Sequence, residues 1–175
     1  WNPDVVGNTE PPSNLVPGAN FQVRAVAVQP DGKVVLGGDF DHVNSKQRNF
    51  VARLMPSGSL DTSFNPPPAE GPNGYVQAIA LYGASGFQTN KMIIAGGFSS
   101  YNGVLRNSLA RLTPNGALDP TFTPGNGADG PIRFLSLRAD GKIFIGGDFL
   151  FYDDVFRNGV ALIRNDGSLD PDFNP

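Results

Sequence analysis

The chain has 175 residues, enough for a single domain with a hydrophobic core, and its 22 glycines and 16 prolines favour frequent turns. Its formal charge of −3 and its isoelectric point near 4.9 give no basic surface of the kind that binds nucleic acid, so no nucleic-acid partner is expected. Cysteine is absent, which excludes disulfides and thiol chemistry, and no apolar run approaches the roughly 18 residues of a membrane span.

Three copies of one pattern organise the chain. The sequence DGKVVLGGDF at 31–40 returns as DGKIFIGGDF at 140–149, and a modified copy, KMIIAGGF, lies at 91–98. Three sets of landmarks are separated by the same two steps of 58 and 51 residues, namely Phe40, Phe98 and Phe149, Arg48, Arg106 and Arg157, and Asp61, Asp119 and Asp170. This agreement indicates true internal repetition, with units at 1–63, 64–121 and 122–175.

In chain order, each unit predicts four short strands. The first strand, at 23–28 in the first unit, has apolar residues on both faces, which is typical of a strand covered on both sides. Asp31-Gly32 then predicts a hairpin turn into the second strand, because glycine accepts the positive φ that such a turn requires. A third strand is expected at 49–55 and a short fourth element at 60–64.

Paired glycines close the second strand in the first and third units. Gly37-Gly38 and Gly146-Gly147 are expected where a side chain would obstruct a neighbouring backbone, or where a bulge bends the strand. Antiparallel units of this length, buried on both faces, predict an all-β fold of the β-propeller type with about three four-stranded blades. A solenoid of hairpins is the alternative.

Closed propellers have roughly 4–8 blades, so three blades predict part of a larger propeller. The opening Trp1-Asn2-Pro3 matches Phe64-Asn65-Pro66 and the last three residues, 173–175. The chain is therefore expected to be an excerpt from a longer array. Pairing of two three-blade copies into a six-blade ring is the alternative.

The short motifs QPDGK, GGDF, RN, ARL, GSLD and FNP of the first unit resemble the delta-60 repeat family of bacterial β-propeller-type proteins. The resemblance covers nearly the whole chain and implies a secreted or cell-surface bacterial protein with many repeats. It implies no activity. Two positions depart from the pattern: Gly97 stands where GGDF has its aspartate, and Leu162 where ARL has its arginine.

The recurrent charged residues are expected to be structural. Aspartates such as Asp31, Asp61, Asp119 and Asp170 suit turns, because their side chains bond nearby backbone N–H groups. Asp39 and Asp148 are weak calcium candidates, but no calcium-binding loop motif is present and no cofactor is expected. Arginines at fixed offsets are expected to clamp blade to blade or strand to turn, with Asp61 and Asp119 as candidate partners; these are Arg48, Arg53, Arg106, Arg111 and Arg157.

The segments 41–47, 99–105 and 150–156 have equal length but different content, and they are expected to be loops. The single histidine, His42, lies in the first of them and has no nucleophile motif beside it, so a surface role is favoured over catalysis. Aromatic residues in the other two are candidate contacts for a protein or glycan ligand; they are Tyr101, Phe151, Tyr152 and Phe156. Tyr101 and Tyr152 share a slot with Val43, so packing is the plainer interpretation there.

These observations predict an extracellular or cell-surface module with a structural, adhesive or binding role and without catalysis. Its expected partners are neighbouring repeats or another copy of the chain, and a protein or glycan ligand. One alternative is a propeller enzyme acting on polysaccharide, which would need paired acids. Another is a component that self-assembles into filaments or surface layers.

Overall fold

The computed structural model describes residues 17–65, 70–83 and 89–175. Within these ranges the chain forms fifteen strands and no helix, so nothing there could cross a membrane as a helix. The strands are β1 (Val23–Val28), β2 (Val34–Gly38), β3 (His42–Val43), β4 (Lys46–Gln47), β5 (Val51–Leu54), β6 (Val76–Leu81), β7 (Met92–Gly96), β8 (Ser100–Tyr101), β9 (Val104–Leu105), β10 (Leu109–Leu112), β11 (Ile132–Leu137), β12 (Ile143–Gly147), β13 (Phe151–Tyr152), β14 (Val155–Phe156) and β15 (Val160–Ile163). The expected match of Trp1-Asn2-Pro3 to a repeat end lies outside the described residues.

Three antiparallel sheets carry the three repeats. Blade 1 has the strand order β1-β2-β5, blade 2 the order β6-β7-β10, and blade 3 the order β11-β12-β15. The second strand of each repeat is therefore the centre of its sheet. The first strands β1, β6 and β11 lie beside one another, as the inner strands of neighbouring propeller blades do. The all-β, propeller-type prediction is confirmed.

Two local expectations need correction. The fourth element of each repeat pairs with the third strand through one residue only, as Leu60 does with Leu54, so each sheet has three strands and a single bridge. The segments expected to be loops are two-stranded hairpins, β3–β4, β8–β9 and β13–β14. Their turns have positive φ at both central residues, which hairpin turns of two residues need, for example Asn44 and Ser45.

The paired glycines bring the first and second strands into unusually close contact. A Cβ on Gly38 would lie 2.0 Å from the carbonyl oxygen of Gln22, and one on Gly147 would lie 2.2 Å from that of Pro131. The pairing register shifts at the same place, between Val23 and Ala25 in blade 1. Both expected reasons for the glycines are therefore present, since no side chain fits there and a bulge bends the strand.

Side chains alternate across each sheet, so one set faces the following blade and the other faces the preceding blade. We name these sets the forward face and the back face. Val35 on the forward face of blade 1 packs in one buried cluster with Met92 and Ile94 on the back face of blade 2. Ile93 on the forward face of blade 2 packs likewise with Ile143 of blade 3. Two hydrophobic cores thus join three blades.

The remaining two faces lie at the ends of the array. On the back face of blade 1, Val26 and Val28 are 59% and 65% exposed. On the forward face of blade 3, Phe134 is 74% exposed. Within the described part of the chain, these two faces are not covered by another blade.

Candidate functional site

An arginine on the third strand of blade 1 holds three elements together. Arg53 is buried, and its Nε donates to Asp61 Oδ2 at 2.9 Å. Its Nη1 donates across the blade boundary to the carbonyl oxygen of Pro114, at 2.5 Å. Burial alone would raise the pKa of Asp61, but hydrogen bonds from Ser63 and the charge of Arg53 lower it to about 2. We call this arrangement the arginine clasp.

Blade 2 repeats the clasp with more contacts. Arg111 is fully buried, and its Nε donates to Asp119 Oδ2 at 2.7 Å. Its Nη1 donates to the carbonyl oxygen of Asn165 in blade 3 at 2.5 Å, and its Nη2 to Thr121 Oγ1 at 2.9 Å. The guanidinium also stacks over Phe122, 4.9 Å from the ring centre. Although burial opposes it, hydrogen bonds from Lys91, Thr121 and Arg111 hold the pKa of Asp119 far below its ordinary value.

Blade 3 has the aspartate without the arginine. Leu162 stands at the position of Arg53 and Arg111, and Asp170 instead pairs with Lys142 Nζ at 2.6 Å. The contact with Lys142 is the main reason that the pKa of Asp170 is lowered. The structure therefore brings the expected arginine–aspartate pairs together in blades 1 and 2, and assigns them to blade-to-blade attachment.

The second set of recurrent arginines makes mainly local contacts, with one longer-range bond of 3.5 Å from Arg157 Nη1 to Asn174 Oδ1. Arg48, Arg106 and Arg157 each donate through Nη1 to the carbonyl oxygen of the preceding residue, at 2.7, 2.7 and 2.9 Å. Each follows the last strand of a hairpin, so the bond fixes the chain as it leaves the hairpin. The blade-to-blade role belongs to Arg53 and Arg111.

Asp39 and Asp148 each pair with an arginine of the neighbouring first strand. Arg24 donates to both carboxylate oxygens of Asp39, at 3.0 and 2.6 Å, whereas Arg133 donates from Nε and Nη2 to a single oxygen of Asp148, Oδ2. Hydrogen bonding to Arg133 lowers the pKa of Asp148. These ion pairs are about half exposed or less, and each engages the carboxylate of a weak calcium candidate. Within the described ranges no three acid or histidine side chains group as a metal site would require.

Blade 2 replaces this ion pair by a different contact. Gln77 stands at the arginine position and Gly97 at the aspartate position, and the ring of Tyr75 occupies the space where a Gly97 side chain would lie. Arg24 reaches across to this blade, since its guanidinium lies 5.2 Å from the Tyr75 ring centre and its Nη1 is 3.3 Å from Gln77 Oε1.

These polar residues lie at equivalent positions of neighbouring blades, where the first strands β1, β6 and β11 lie beside one another, and we call them the axial cluster. Its members are Arg24, Asp39, Tyr75, Gln77, Arg133 and Asp148. Planar guanidinium, carboxylate and amide groups beside an aromatic ring can bind polar ligands through paired hydrogen bonds. Sequence reasoning missed the cluster, because Arg24 is 15 residues from Asp39 and its counterpart in blade 2 is Gln77.

Two of the four candidate ligand contacts are not on the surface. Tyr101 and Tyr152 are fully buried under their hairpins, and their hydroxyls donate to the carbonyl oxygens of Gly116 and Gly167 at 2.5 and 2.8 Å. Burial raises the pKa of both tyrosines. Their assignment as ligand contacts is therefore corrected: they anchor each hairpin to the sheet.

The other two candidates lie together on the surface of blade 3. Phe151 and Phe156 are cross-strand partners in the hairpin, with ring centres 5.6 Å apart in an edge-to-face arrangement. They are 41% and 59% exposed, and Leu150 and Val155 beside them are 49% and 42% exposed. We call these four residues the hairpin patch. Sequence reasoning found the phenylalanines but not the aliphatic residues.

The three hairpins present different chemistry at equivalent positions. Blade 1 has Asp41, His42, Lys46 and Gln47, all exposed, with His42 Nδ1 2.8 Å from Asp41 Oδ1. Blade 2 exposes only Val104 and Leu105 as apolar residues, and blade 3 the whole hairpin patch. His42 has a surface position. The hairpins vary while the sheets that carry them repeat.

Comparison with known proteins identifies the repeat. A family model described as a domain of unknown function, DUF5122 beta-propeller, matches residues 29–64, 88–122 and 138–173. Each match begins near the turn before the second strand and ends near the phenylalanine that follows the clasp aspartate. No curated protein matches the sequence. The chain belongs to the DUF5122 beta-propeller family, and it contains three of the family's repeats.

Proposed function

We propose that this array is a non-catalytic interaction module that acts outside the cell or on its surface, and that it binds a protein ligand through the hairpin patch. The observation that carries this is the exposure of four neighbouring apolar side chains on one hairpin, two of them aromatic. Contiguous exposed apolar groups on a folded domain mark interaction sites, and aromatic residues are enriched in the centres of protein interfaces.

The patch does not serve the packing of blades. It lies on a two-stranded hairpin apart from the three-stranded sheets whose faces pack on each other. Blade 1 has polar residues at the same hairpin positions and folds to the same shape. Phe151 and Phe156 are therefore dispensable for the fold, and a ligand is the simplest reason for their exposure.

The carboxyl groups favour binding over catalysis. A general acid for glycoside cleavage needs a raised pKa. Asp61, Asp119, Asp148 and Asp170 instead have lowered pKa values, because each accepts hydrogen bonds from a cation or from neighbouring donors. Such carboxylates are strong structural acceptors and poor proton donors. The resemblance to delta-60 repeats supports the extracellular location and the bacterial source.

A phage-displayed peptide library tests the proposed protein-binding surface. Peptides selected on the immobilised array should be rich in apolar residues and should lose at least tenfold in affinity for the variant Phe151→Ser/Phe156→Ser, since central aromatic residues contribute about 1–2 kcal/mol or more each. The matched control is Val104→Ser/Leu105→Ser, which removes two exposed apolar residues from the blade 2 hairpin and should bind as the wild type does. Peptides that bind both variants equally would contradict the proposal.

A glycan ligand is a second candidate, favoured by the axial cluster. Arg133 and Asp148 are about half exposed and present hydrogen-bonding groups, while Arg24 lies 5.2 Å from the centre of the Tyr75 ring. A glycan array probed with the wild type and with Arg133→Gln tests this, with Arg164→Gln as the control outside the cluster. Binding lost in Arg133→Gln alone would move the ligand to the axial cluster. Release of sugar products, abolished by Asp148→Asn, would establish the polysaccharide enzyme instead.

A further inference from the structure

A cleft of about 420 Å³ lies at the boundary between blades 2 and 3. We call it the boundary cleft, and the lining residues that decide its chemistry are Asn73, Ser99, Asn107, Ser108, Asp129 and Pro131. Its volume is within the roughly 300–1,000 Å³ that is usual for small-molecule sites. All of its lining residues lie outside the hairpin patch, so the boundary cleft is a separate site.

The cleft is present because this boundary has smaller side chains than the equivalent places between blades 1 and 2. The repeat places Ser108 where blade 1 has Phe50, whose ring packs against the hydrophobic cluster that joins blades 1 and 2. Pro131 takes the place of Tyr75, since each directly precedes the first strand of its blade. The replacement of two aromatic residues by serine and proline leaves open space that a ligand can occupy.

Ser108 combines burial with a conformation that favours glycine. It is 5% exposed and has a φ of 63°, and the equivalent residue of blade 3 is Gly159 with a φ of 88°. The Ser108 hydroxyl has no hydrogen-bond partner among the residues that the structure describes. Because a buried polar group without a partner is costly, the serine indicates a partner that the protein itself does not supply.

Asp129 supports the blade 3 hairpin with one of its two carboxylate oxygens. Oδ1 accepts from the backbone nitrogens of Leu150 and Phe151, at 2.8 and 2.9 Å. In blades 1 and 2, the side-chain oxygens of Asn20 and Asn73 accept the same pair of backbone bonds. An amide is therefore sufficient for this structural role, and the role does not explain a carboxylate.

The second oxygen of Asp129 is available to a ligand. In blade 2, the other side-chain atom of Asn73, Nδ2, donates to Ser99 Oγ at 2.9 Å. Leu150 stands at the position of Ser99 in blade 3 and has no polar side chain. Within the described ranges Asp129 Oδ2 makes no hydrogen bond, so blade 3 adds a charged acceptor to the cleft.

The remaining polar groups of the cleft are mostly acceptors. Asn107 Nδ2 donates to the carbonyl oxygen of Asn126 at 2.8 Å, which leaves Asn107 Oδ1 free to accept. The lining residues, all of them in the described part of the chain, include no lysine, arginine or histidine, and Asp129 is their one carboxylate. An anion is therefore disfavoured, and a divalent cation would find too few charged ligands.

Sugar hydroxyls match this set of groups. Each hydroxyl both donates and accepts, a carboxylate accepts from two neighbouring hydroxyls, and a serine hydroxyl can do either. We infer that the boundary cleft binds one ring of a neutral sugar, with Asp129 Oδ2 and Asn107 Oδ1 as acceptors and Ser108 Oγ as a further hydrogen-bonding group. This site is distinct from the hairpin patch and from the axial cluster.

Amide NMR titration of the whole chain tests the inference with free sugars as probes. The panel is D-glucose, D-galactose, D-mannose, L-fucose and N-acetyl-D-glucosamine. At least one sugar should give saturable shifts of the Ser99, Ser108 and Gly130 signals, with a dissociation constant of about 10 mM or tighter. The signals of the hairpin patch should stay unchanged.

The chain's own repeats supply variants that should keep the fold. Ser108→Phe introduces the residue of blade 1, which has nearly the same φ, and should abolish binding by filling the cleft. Ser108→Gly introduces the residue of blade 3 and should weaken binding about three- to tenfold through loss of one hydroxyl. Asp129→Asn keeps the two backbone bonds and should weaken binding at least tenfold, since it replaces a charged acceptor by a donor.

Two controls locate the effect in the cleft. Asp172→Asn removes one negative charge from an exposed position of blade 3, and Arg133→Gln alters the axial cluster. Both should bind the sugar as the wild type does. Peptides that recognise the hairpin patch should still bind Ser108→Phe, so this inference and the proposed protein-binding function can fail separately.

Several results would overturn the inference. These are a wild type whose cleft signals respond to no sugar of the panel, Ser108→Phe and Asp129→Asn chains that bind as tightly as the wild type, and binding that is lost in Arg133→Gln. Saturable shifts of the cleft signals with calcium chloride, but with none of the sugars, would make the cleft a cation site instead. Circular dichroism of each variant confirms that lost binding is not lost folding.

Discussion

Blades 2 and 3 have the same strands and turns, but their forward faces differ in both charge and size. Blade 2 presents Arg111, which donates to the backbone of the following blade, and small residues such as Ala95 that allow the sheets to approach. Blade 3 presents Leu162 and Phe144 at positions where blade 2 has Arg111 and Ile93. The strand pairing within the sheets is therefore the same in each repeat. The side chains that face the next blade differ from one blade to another.

The largest expected effect comes from giving blade 2 the leucine of blade 3. Arg111→Leu leaves the Asn165 carbonyl without its donor and Asp119 with Lys91 as its remaining cation. Breaking a buried ion pair from one side costs about 3–5 kcal/mol. We expect the free energy of unfolding, measured by urea denaturation at one fixed protein concentration, to fall by about that amount.

Arg106→Leu is the control for this substitution. Arg106 is in the same blade and donates to the carbonyl of Leu105 at 2.7 Å, but it is only partly buried. Its loss should reduce the free energy of unfolding by less than about 1 kcal/mol. Equal losses for the two variants would show that Arg111 does not fasten blade 2 to blade 3.

The repeat and the propeller fold could be predicted from the sequence, because equal spacing at several landmarks is independent of the conformation of any one segment. The clasp pairs could also be predicted, because Arg53 and Asp61 recur at one offset as Arg111 and Asp119. The hairpins could have been found: Asn102-Gly103 between short strands is a strong hairpin signal. The equal length of the three segments did not by itself reveal the hairpins.

Other features depend on the packing of distant residues, which a sequence pattern does not give. The pair of Arg24 and Asp39 joins two strands across a bulge, and its recurrence is hidden by Gln77 and Gly97 in blade 2. The sequence did contain one signal of this pair: in blade 2 the arginine and the aspartate are replaced together, by Gln77 and Gly97. The exposure of Val155 could not be inferred, because apolar residues in short strands are buried more often than not.

The next largest effect is expected from adding a methyl group at one glycine position, which blades 1 and 3 share. A Cβ added to Gly37 would lie 2.6 Å from Val76 Cγ1 and 3.0 Å from Ile79 Cδ1, so Gly37→Ala must push blade 2 away. The nearest atom to a Cβ on Gly146, the equivalent position in blade 3, is 3.7 Å distant. We expect Gly37→Ala to lower the free energy of unfolding by about 1–3 kcal/mol.

Gly146→Ala supplies the matched measurement under the same denaturation conditions. With open space around the added methyl group, its effect should stay within about 0.5 kcal/mol of the wild type. A large effect at Gly146 and a small one at Gly37 would reverse the assignment of covered and exposed faces.

The smallest expected effect is on the pH dependence of the free energy of unfolding, and it should differ between a buried ion pair and an exposed one. Asp61 has a pKa of about 2 in the folded protein against an ordinary value of 3.8. A depressed folded-state pKa stabilises the protein fully above the unfolded-state value, and this contribution is lost as the pH falls from about 4 to about 2. The shift corresponds to at most about 2 kcal/mol. Asp61→Asn should therefore flatten the fall in unfolding free energy over this window.

Asp148→Asn is the exposed counterpart, because Asp148 also pairs with an arginine and is half exposed. Solvent screens such exposed pairs strongly, so the pH dependence of unfolding should change little in this variant. Urea denaturation at a series of pH values from 5 to about 2 measures both slopes. If Asp148→Asn flattened the curve as much as Asp61→Asn, the stabilisation would come from charge pairing in general. A difference between them assigns it to burial at the blade boundary, where Arg53 also reaches the next blade.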